Sequence, residues 1–543
     1  MVRVIGIVLS ILFSIVATAI MSYIGMATPI GPWIASTLVL AVTLLLRIFF
    51  TLPIHNLAPL VFLIVSSASI GGILATALAF SLPTLYFLKR ELFLAWMVKP
   101  ELFVAIITGL SLSGGLYGFW IADAFEDRWL VKHNLEFPIA QLVYRMLHAQ
   151  DQIKRAYEMF IGFLSTLILC VLQDGIFSYN GLIARSVVLC NSYSLGVING
   201  VPFFQTPLVQ FDLFPSFWAI GFVTGHIIAM PLLIGVFSKI FFMDPIKALG
   251  FCHLSNMDYL LAFCSGMVVM TVIQSMIYFP KILFKSCLDG CKALCISNKF
   301  CTQGFVDRYN LKLLIFILII SFLFLRQFHF SILMFIYLIF FTLICAYQVV
   351  MIAGRTGLAL LGRFATFVMV PAIFLFKVDY VGLVFIATFV EIAAGVATDV
   401  MFGRKLAQLA YISRSSMRRY QLLGLMISSF SVGIIFWLLI NGFGLGSADL
   451  FAQRAQARAL LIGVHHFDMY ALFVGMVYGY FLYYCKINPM LVLGGLLMPL
   501  NVSLGLIIGG LFSLISKNKE RWYPFWSGVF ASNSLWMIVR SLH

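Results

Sequence analysis

Apolar runs of roughly twenty residues, separated by short polar and charged clusters, divide this chain from one end to the other. A helix rises about 1.5 Å per residue, so such a run matches the ~30 Å hydrocarbon core of a bilayer. The runs 4–25, 31–50, 102–122, 158–177, 259–279, 312–328, 330–353, 380–400, 420–441, 460–485 and 524–540 therefore predict membrane helices. Gly25 and the turn Pro29-Ile30-Gly31-Pro32 separate the first two. A single preceding Arg3 and no small-residue cleavage site argue against a removable signal peptide.

Several stretches do not fit one plain crossing. Residues 57–88 exceed it by about ten residues and carry Gly71-Gly72, then Leu82-Pro83-Thr84 before Lys89 and Arg90. They predict either a tilted helix kinked at Pro83 or a helix followed by a re-entrant half. Residues 213–242 are interrupted at Gly225-His226 and Met230-Pro231, and 364–377 contain Pro371. Residues 489–515 hold Leu497-Met498-Pro499-Leu500-Asn501 at their centre. A re-entrant hairpin there keeps Lys486 and the basic cluster 517–521 on one side. Residues 178–207 are more polar and predict a loop or interfacial segment.

A further break is predicted at 123–145. Asp123, Glu126, Asp127, Arg128, Lys132 and His133 close one apolar run, and the apolar texture resumes at Phe137-Pro138-Ile139-Ala140-Gln141. Pro138 has no N–H and turns Phe137 away from the helical region, so a helix starts at the proline. Irregular backbone at membrane depth must be enclosed by protein or line water. The expected substrate path is therefore a midplane cavity bordered by Pro83, Glu136, Phe137, Pro138, Gln141, Gly225, Pro231, Pro499 and Asn501.

Composition agrees with the pattern. Of 543 residues, 62% are hydrophobic and 10% charged, with a mean hydropathy of +1.05. The expected class is all-α, a polytopic membrane bundle of about 14–16 segments including broken or re-entrant helices. The net charge of +15 lies almost wholly between the apolar runs, which points to topology and anionic lipid and away from nucleic acid. The basic segments 128–155, 281–312 and 403–419 are expected on the cytoplasmic side. The chain then divides into an N-terminal membrane half, 1–280, a basic connector, 281–311, and a C-terminal membrane half, 312–543. VPAIFLFK around Pro371 is similar to LPTLYFLK around Pro83, and Asp399–Arg404 repeats the five-residue offset of Asp123–Arg128. Both hint at an internal duplication.

Candidate chemistry is sparse. Glu391 sits inside FVEIAAGVATD, where a carboxylate costs at least ~2.5 kcal/mol by insertion scales. It must be protonated, paired with an arginine such as Arg355 or Arg363, or facing water. Gly395, one turn on, leaves room for a ligand or a neighbouring helix. Asp399, at the expected cytoplasmic end of that run, is placed to pass a proton on. His226 is either a packing residue or an alternative proton carrier. His465, His466 and Asp468 read as interfacial rather than metal-binding, because adjacent helical side chains diverge by about 100°. Cys287, Cys291, Cys295 and Cys301 lack zinc spacing and read as free thiols near the membrane. No metal centre and no cofactor is expected.

Three function classes compete: a secondary transporter, an intramembrane enzyme and a structural assembly protein. Broken helices, few intramembrane charges and no Walker A sequence favour the first. No compact catalytic set supports an enzyme.

The order of motifs resembles the oligopeptide transporter (OPT) family, including its yellow-stripe-like branch. The carriers are SASIGGILATALAFSLPTLYFL, RWLVKHNLEFPIAQ, FDLFPSFWAIGFVTGHIIAMPLLIG, GRKLAQLAYISRSSMRRYQLLG and INPMLVLGGLLMPLNVSLGLIIGG. Phe137 and Pro138 match the family's loop pattern, whereas Ile139 and Gln141 differ from its small residues. The resemblance implies a proton-coupled symporter importing small peptides or metal chelates across a plasma or bacterial inner membrane. The implied partners are that substrate, protons and membrane lipid, with a homo-oligomer compatible with the fold.

Overall fold

The computed structural model describes residues 2–28, 34–49, 54–148, 152–175, 181–184, 186–191, 194–198, 201–205, 209–212, 215–239, 241, 258–271, 273–274, 308–356, 359, 361–376, 378–447, 449–463, 468–498, 500–516 and 519–540. Their architecture is all-α apart from one small β region. Seven helices are long and apolar enough to cross a membrane, and six shorter apolar helices accompany them. Two compact units emerge, each discontinuous in sequence. The first comprises Met1–Ser22, Ile34–Gln150 and Val272–Trp437, and the second comprises Tyr23–Trp33, Asp151–Thr271 and Leu438–His543.

The first unit contains α1 (Val2–Ala27, up to Ser22), α2 (Ala35–Phe49), α3 (Ile54–Ser81), α4 (Thr84–Leu88), α5 (Arg90–Met97), α6 (Pro100–Asp127) and α7 (Pro138–His148). The second begins with α8 (Gln152–Asp174), α9 (Pro215–Thr224), α10 (His226–Ser238) and α11 (Asp258–Thr271). The chain then returns to the first unit with α12 (Arg308–Arg326), α13 (Ile332–Thr356), α14 (Leu361–Phe376), α15 (Tyr380–Leu409) and α16 (Arg414–Phe443, up to Trp437). It finishes in the second with α17 (Gln453–Ile462), α18 (Met469–Tyr484), α19 (Pro489–Leu497), α20 (Leu500–Ile515) and α21 (Lys519–Arg540).

Helix α15 is the core of the first unit, with every residue from Gly382 to Ala407 buried. Small residues on its neighbours let their backbones come close. A Cβ on Gly118 of α6 would strike the Ala393 carbonyl, and one on Gly114 would lie 3.0 Å from Ile392 and 3.3 Å from the Phe389 carbonyl. Gly114 and Gly118 thus form a small-residue face of α6 that packs against α15. On α3, α6 and α15, hydroxyls inside the helix donate mostly to the preceding turn, as with Thr76 to Gly72 at 2.8 Å, Ser111 to Ile107 at 2.7 Å and Thr398 to Ala394 at 2.8 Å.

The second unit uses the same device. Gly235 of α10 and Gly495 of α19 face one another, the first toward the Val492 carbonyl and the second toward that of Leu232. Gly162 of α8 meets the Phe525 carbonyl, and Gly528 of α21 that of Met159. At the end of this pair Trp536 donates to Asp174 at 2.8 Å.

Several boundaries differ from expectation. The apolar run 380–400 continues as helix to Leu409, so Arg404 and Lys405 are buried helical residues and not loop residues. Carboxylates on α6 neutralise Arg404 and make that burial tolerable. The run 460–485 is two helices, α17 and α18, separated near Gly463. Asp468 caps α18 by accepting from the Tyr470 and Ala471 amides, both at 3.0 Å, while His465 and His466 lie outside the described residues. Within 178–207 and just beyond, four strands replace the expected loop. β1 (Ser186–Cys190) pairs antiparallel with β4 (Val209–Asp212), and β2 (Ser194–Ile198) with β3 (Val201–Gln205). Valine, isoleucine and phenylalanine recur in these strands, and β-branched and aromatic side chains suit a pleated surface. The connector cysteines 287, 291, 295 and 301 lie outside the described residues.

The seam between α6 and α15 yields a test. Gly118→Val should lower the melting temperature of the purified protein, because overpacking costs about 1–3 kcal/mol. Ser113→Ala, which removes only a local bond to Leu110, should shift it far less. Equal melting temperatures for wild type and Gly118→Val would show that the contact is not tight.

Candidate functional site

The site grows from one register. Helix α3 runs antiparallel to α15, placing Ser81 beside Glu391, Ile73 beside Gly395, Ser69 beside Asp399 and Ser66 beside Gly403. The α15 positions are spaced i, i+4, i+8 and i+12, each about 40° round from the last, so they follow one slowly turning stripe along α3. Glu391 is fully buried and accepts a hydrogen bond from the Ser81 hydroxyl. Asp399 is 1% exposed, and its Oδ2 accepts from Ser69 at 2.7 Å. Asp399 therefore lies more than two turns inside α15 and not at its end, because the helix continues past the expected boundary.

Pro83 explains why Ser81 is available. Helix α3 closes at Ser81, Leu82 still donates to Leu78, and α4 begins at Thr84. The apolar segment continues as one from Leu57 to Leu88, so Pro83 marks a kinked helix. Farther along, Lys89 bonds Asp379 at 2.8 Å, joining the end of α4 to the N-cap of α15.

A charge cluster closes the other end of α15. Arg404 reaches both Asp123 and Glu126 of α6, the latter at 2.5 Å. From α16, Arg414 reaches Glu126 at 2.7 Å and Arg418 reaches Asp123 at 2.9 Å. Asp123 and Glu126 are one turn apart at the end of α6, so both side chains face the arginines. The cluster places the start of the 128–155 segment and the 404–418 region at one end of the first unit. A cavity of about 200 Å³ opens beside it, lined by Glu126, Asp127, Arg404, Gln408, Arg414 and Met417 among others.

The expected path residues fall into two groups. In the first unit, a π turn (Arg128–Lys132) follows α6, and α7 begins at Pro138 as predicted. Phe137 is buried with φ +47° and donates its amide to the Gly354 carbonyl at 2.8 Å. A bulky residue at positive φ is strained and is held only by its surroundings. Glu136 is exposed, and its carbonyl accepts from Gln141 at 3.2 Å. In the second unit, Gly225 has φ +75° and separates α9 from α10, with Pro231 inside α10. A Cβ on Gly510 of α20 would approach the Gly225 carbonyl to 3.1 Å. Met498 separates α19 from α20, and Pro499 lies outside the described residues. Asn501 belongs to α20 and His226 opens α10, but their side chains lie outside the described residues. Helix α19 has nine residues, or about 14 Å, too short to cross alone.

Ser66, Ser69, Ser81 and Gln421 were not singled out in the sequence. The i, i+4 rhythm Glu391-Gly395-Asp399-Gly403 and the cluster Ser66-Ser67-Ala68-Ser69 were the available signals. No sequence rule pairs them, because the contacts span more than three hundred residues.

The charge cluster is testable. Arg404→Met leaves two buried carboxylates short of a partner and should cost about 2–4 kcal/mol, read as a fall in melting temperature. Arg414, whose side chain is 56% exposed, should cost no more than about 1 kcal/mol as Arg414→Ala. Equal effects would mean that Arg404 does not hold the cluster together.

Residues 309–533 match the family described as OPT oligopeptide transporter protein. Comparison with curated proteins gives no match. The match takes in α15 with Glu391, Asp399 and Arg404, and both members of the α19–α20 break. The chain is thus an integral membrane protein whose residues 309–533 are similar to the OPT oligopeptide transporter family.

Proposed function

We propose that this protein is a secondary active transporter that imports small peptides or peptide-like metal chelates together with protons. The similarity of residues 309–533 to a transporter family favours transport over catalysis and makes a peptide the first substrate to test. The observation that carries the reading is the pair of carboxylates, Glu391 and Asp399, in the buried stretch Gly382–Ala407 of α15, each bonded to a serine of α3. A carboxylate at depth is costly unless it is protonated, paired or hydrated, and such groups mark ion and proton pathways.

In this mechanism Glu391 takes a proton from the outer side and releases it inward, with Asp399 as the next acceptor two turns along α15. His226 is the alternative carrier. The substrate passes the broken segments, where freed backbone groups bind polar ligands. In the first unit these are the kink at Pro83 and the Glu136–Gln141 turn with Phe137 and Pro138. In the second they are Gly225, Pro231, Pro499 and Asn501. The working membrane is the plasma or bacterial inner membrane, with surrounding lipid as the other partner.

Glu391→Gln mimics the protonated form. It should abolish pH-gradient-driven accumulation in proteoliposomes while retaining substrate exchange, measured with a peptide panel and with metal–chelate complexes. Accumulation with unchanged pH dependence would make Glu391 structural. If only chelates are taken up, the peptide arm of the reading fails and the chelate arm stands.

A further inference from the structure

The buried polar ring around Asp399 has an unbalanced set of hydrogen-bond donors and acceptors. Gln421 of α16 is fully buried, and its Nε2 donates to the Val400 carbonyl at 2.9 Å and to the Ser66 hydroxyl at 3.0 Å. Ser69 donates to Asp399 Oδ2 and lies within 3.4 Å of the Ser66 carbonyl. Asp399, Ser69, Ser66, Gln421 and Val400 thus close a ring across α3, α15 and α16. On that ring, Asp399 Oδ1 and Gln421 Oε1 are both buried and both lack a donor. Each such acceptor costs about 1–3 kcal/mol if left unsatisfied.

Two observations narrow the remedy. A carbonyl only accepts, so the amide atom facing Val400 must be the N–H; turning the Gln421 amide over would set two acceptors against each other. Oε1 is thereby fixed as the atom that needs a donor. Gly403, one turn after Asp399 on the same face, has no Cβ, and an added one would collide with Ser66 Oγ and Gln421 Nε2. The missing side chain is what lets the Gln421 amide lie over this face, within a turn of the Asp399 carboxyl.

We propose that Asp399 is held protonated in this conformation, with its Oδ1–H donated to Gln421 Oε1, so that Gln421 is the positioning residue for the proton of the α15 site. A single proton then satisfies both orphan acceptors. It also removes a charge that, among the described residues, no cation on the neighbouring helices is placed to neutralise. On α15, Glu391 is bonded to Ser81, Arg404 is engaged by Asp123 and Glu126, and Lys405 lies about 120° round the helix. On α16, Arg414 and Arg418 belong to the same charge cluster, and Arg419 is exposed. Arg355 of α13 and Arg363 of α14 are exposed, and Tyr144 of α7 stacks on Phe62. On α4 the titratable group is Tyr86, which packs on Phe87 and Phe93, and α3 carries none between Asn56 and Ser81. The inference rests on the proton-coupled reading for its purpose, but its geometry stands apart from transport.

Infrared spectroscopy of the purified protein in nanodiscs at neutral pH tests it. A protonated-carboxyl C=O band should be present in wild type, persist in Glu391→Gln and be lost in Asp399→Asn. In Gln421→Leu the band should remain but move to higher frequency, since its hydrogen-bond acceptor is gone. Should Asp399→Asn fail to fold, the Gln421→Leu shift alone decides. A band untouched by both changes, or no band at all, would overturn the assignment. A band dependent on Asp399 without pH-driven uptake would sink the transport reading and leave this site standing. Proton-driven uptake without the band would do the reverse.

Discussion

Burying a helix along its whole length inside a membrane bundle requires an answer for each ionisable side chain it carries. Helix α15 carries Glu391, Asp399, Arg404 and Lys405, and all are withdrawn from solvent. For three of them the answer comes from a different part of the chain. Ser81 and Ser69 of α3 meet the two acids, and Asp123 and Glu126 of α6 meet Arg404. The division is physically sensible. A guanidinium cannot shed its charge, so it needs carboxylates, whereas a carboxyl group has the option of becoming neutral. Charge pairing therefore sits at the end of α15, beside an open cavity, and hydroxyl bonding sits at depth.

Close backbone approach is the second requirement, and it is linked to the first. Serine hydroxyls reach α15 only because α3 lies close to it, and that spacing depends on Gly395 and Gly403. The opposite face depends in the same way on Gly114 and Gly118. Without a hydrophobic drive between helices in lipid, such packing contacts and interhelical hydrogen bonds supply the cohesion. The second unit relies mainly on glycine seams such as Gly235 with Gly495. Its described polar contacts include the Trp536–Asp174 bond at 2.8 Å and the bond between Cys170 and Asn533 at 3.2 Å.

The breaks serve different ends. Pro83 interrupts a helix without ending the apolar segment, and it leaves Ser81 at the edge of the break beside Glu391. Phe137 is a sharper case, because its positive φ is stabilised by a hydrogen bond to Gly354 at the end of α13. Strain of that kind persists only when the surroundings enforce it. Gly225 needs no such support, since glycine adopts positive φ without a side-chain penalty.

The sequence by itself determined the membrane class, most helix positions and the breaks at Pro83, Pro138 and Gly225 and within 497–501. Each of these is a local consequence of residue type: apolar length, a missing N–H or a missing Cβ. It also marked Glu391, because a charge in an apolar run is visible without any structure. The extent of α15 past Val400 was not legible, since Arg404 and Lys405 look like the start of a loop until Asp123 and Glu126 are seen beside Arg404. The strands within 186–212 and the split between α17 and α18 were hidden for a similar reason, as their polar and apolar residues fit more than one local structure. Only the tertiary fold brought Ser69, Ser81 and Gln421 to α15. Hydrogen bonding acts over about 3 Å in space and leaves no periodic trace in a sequence.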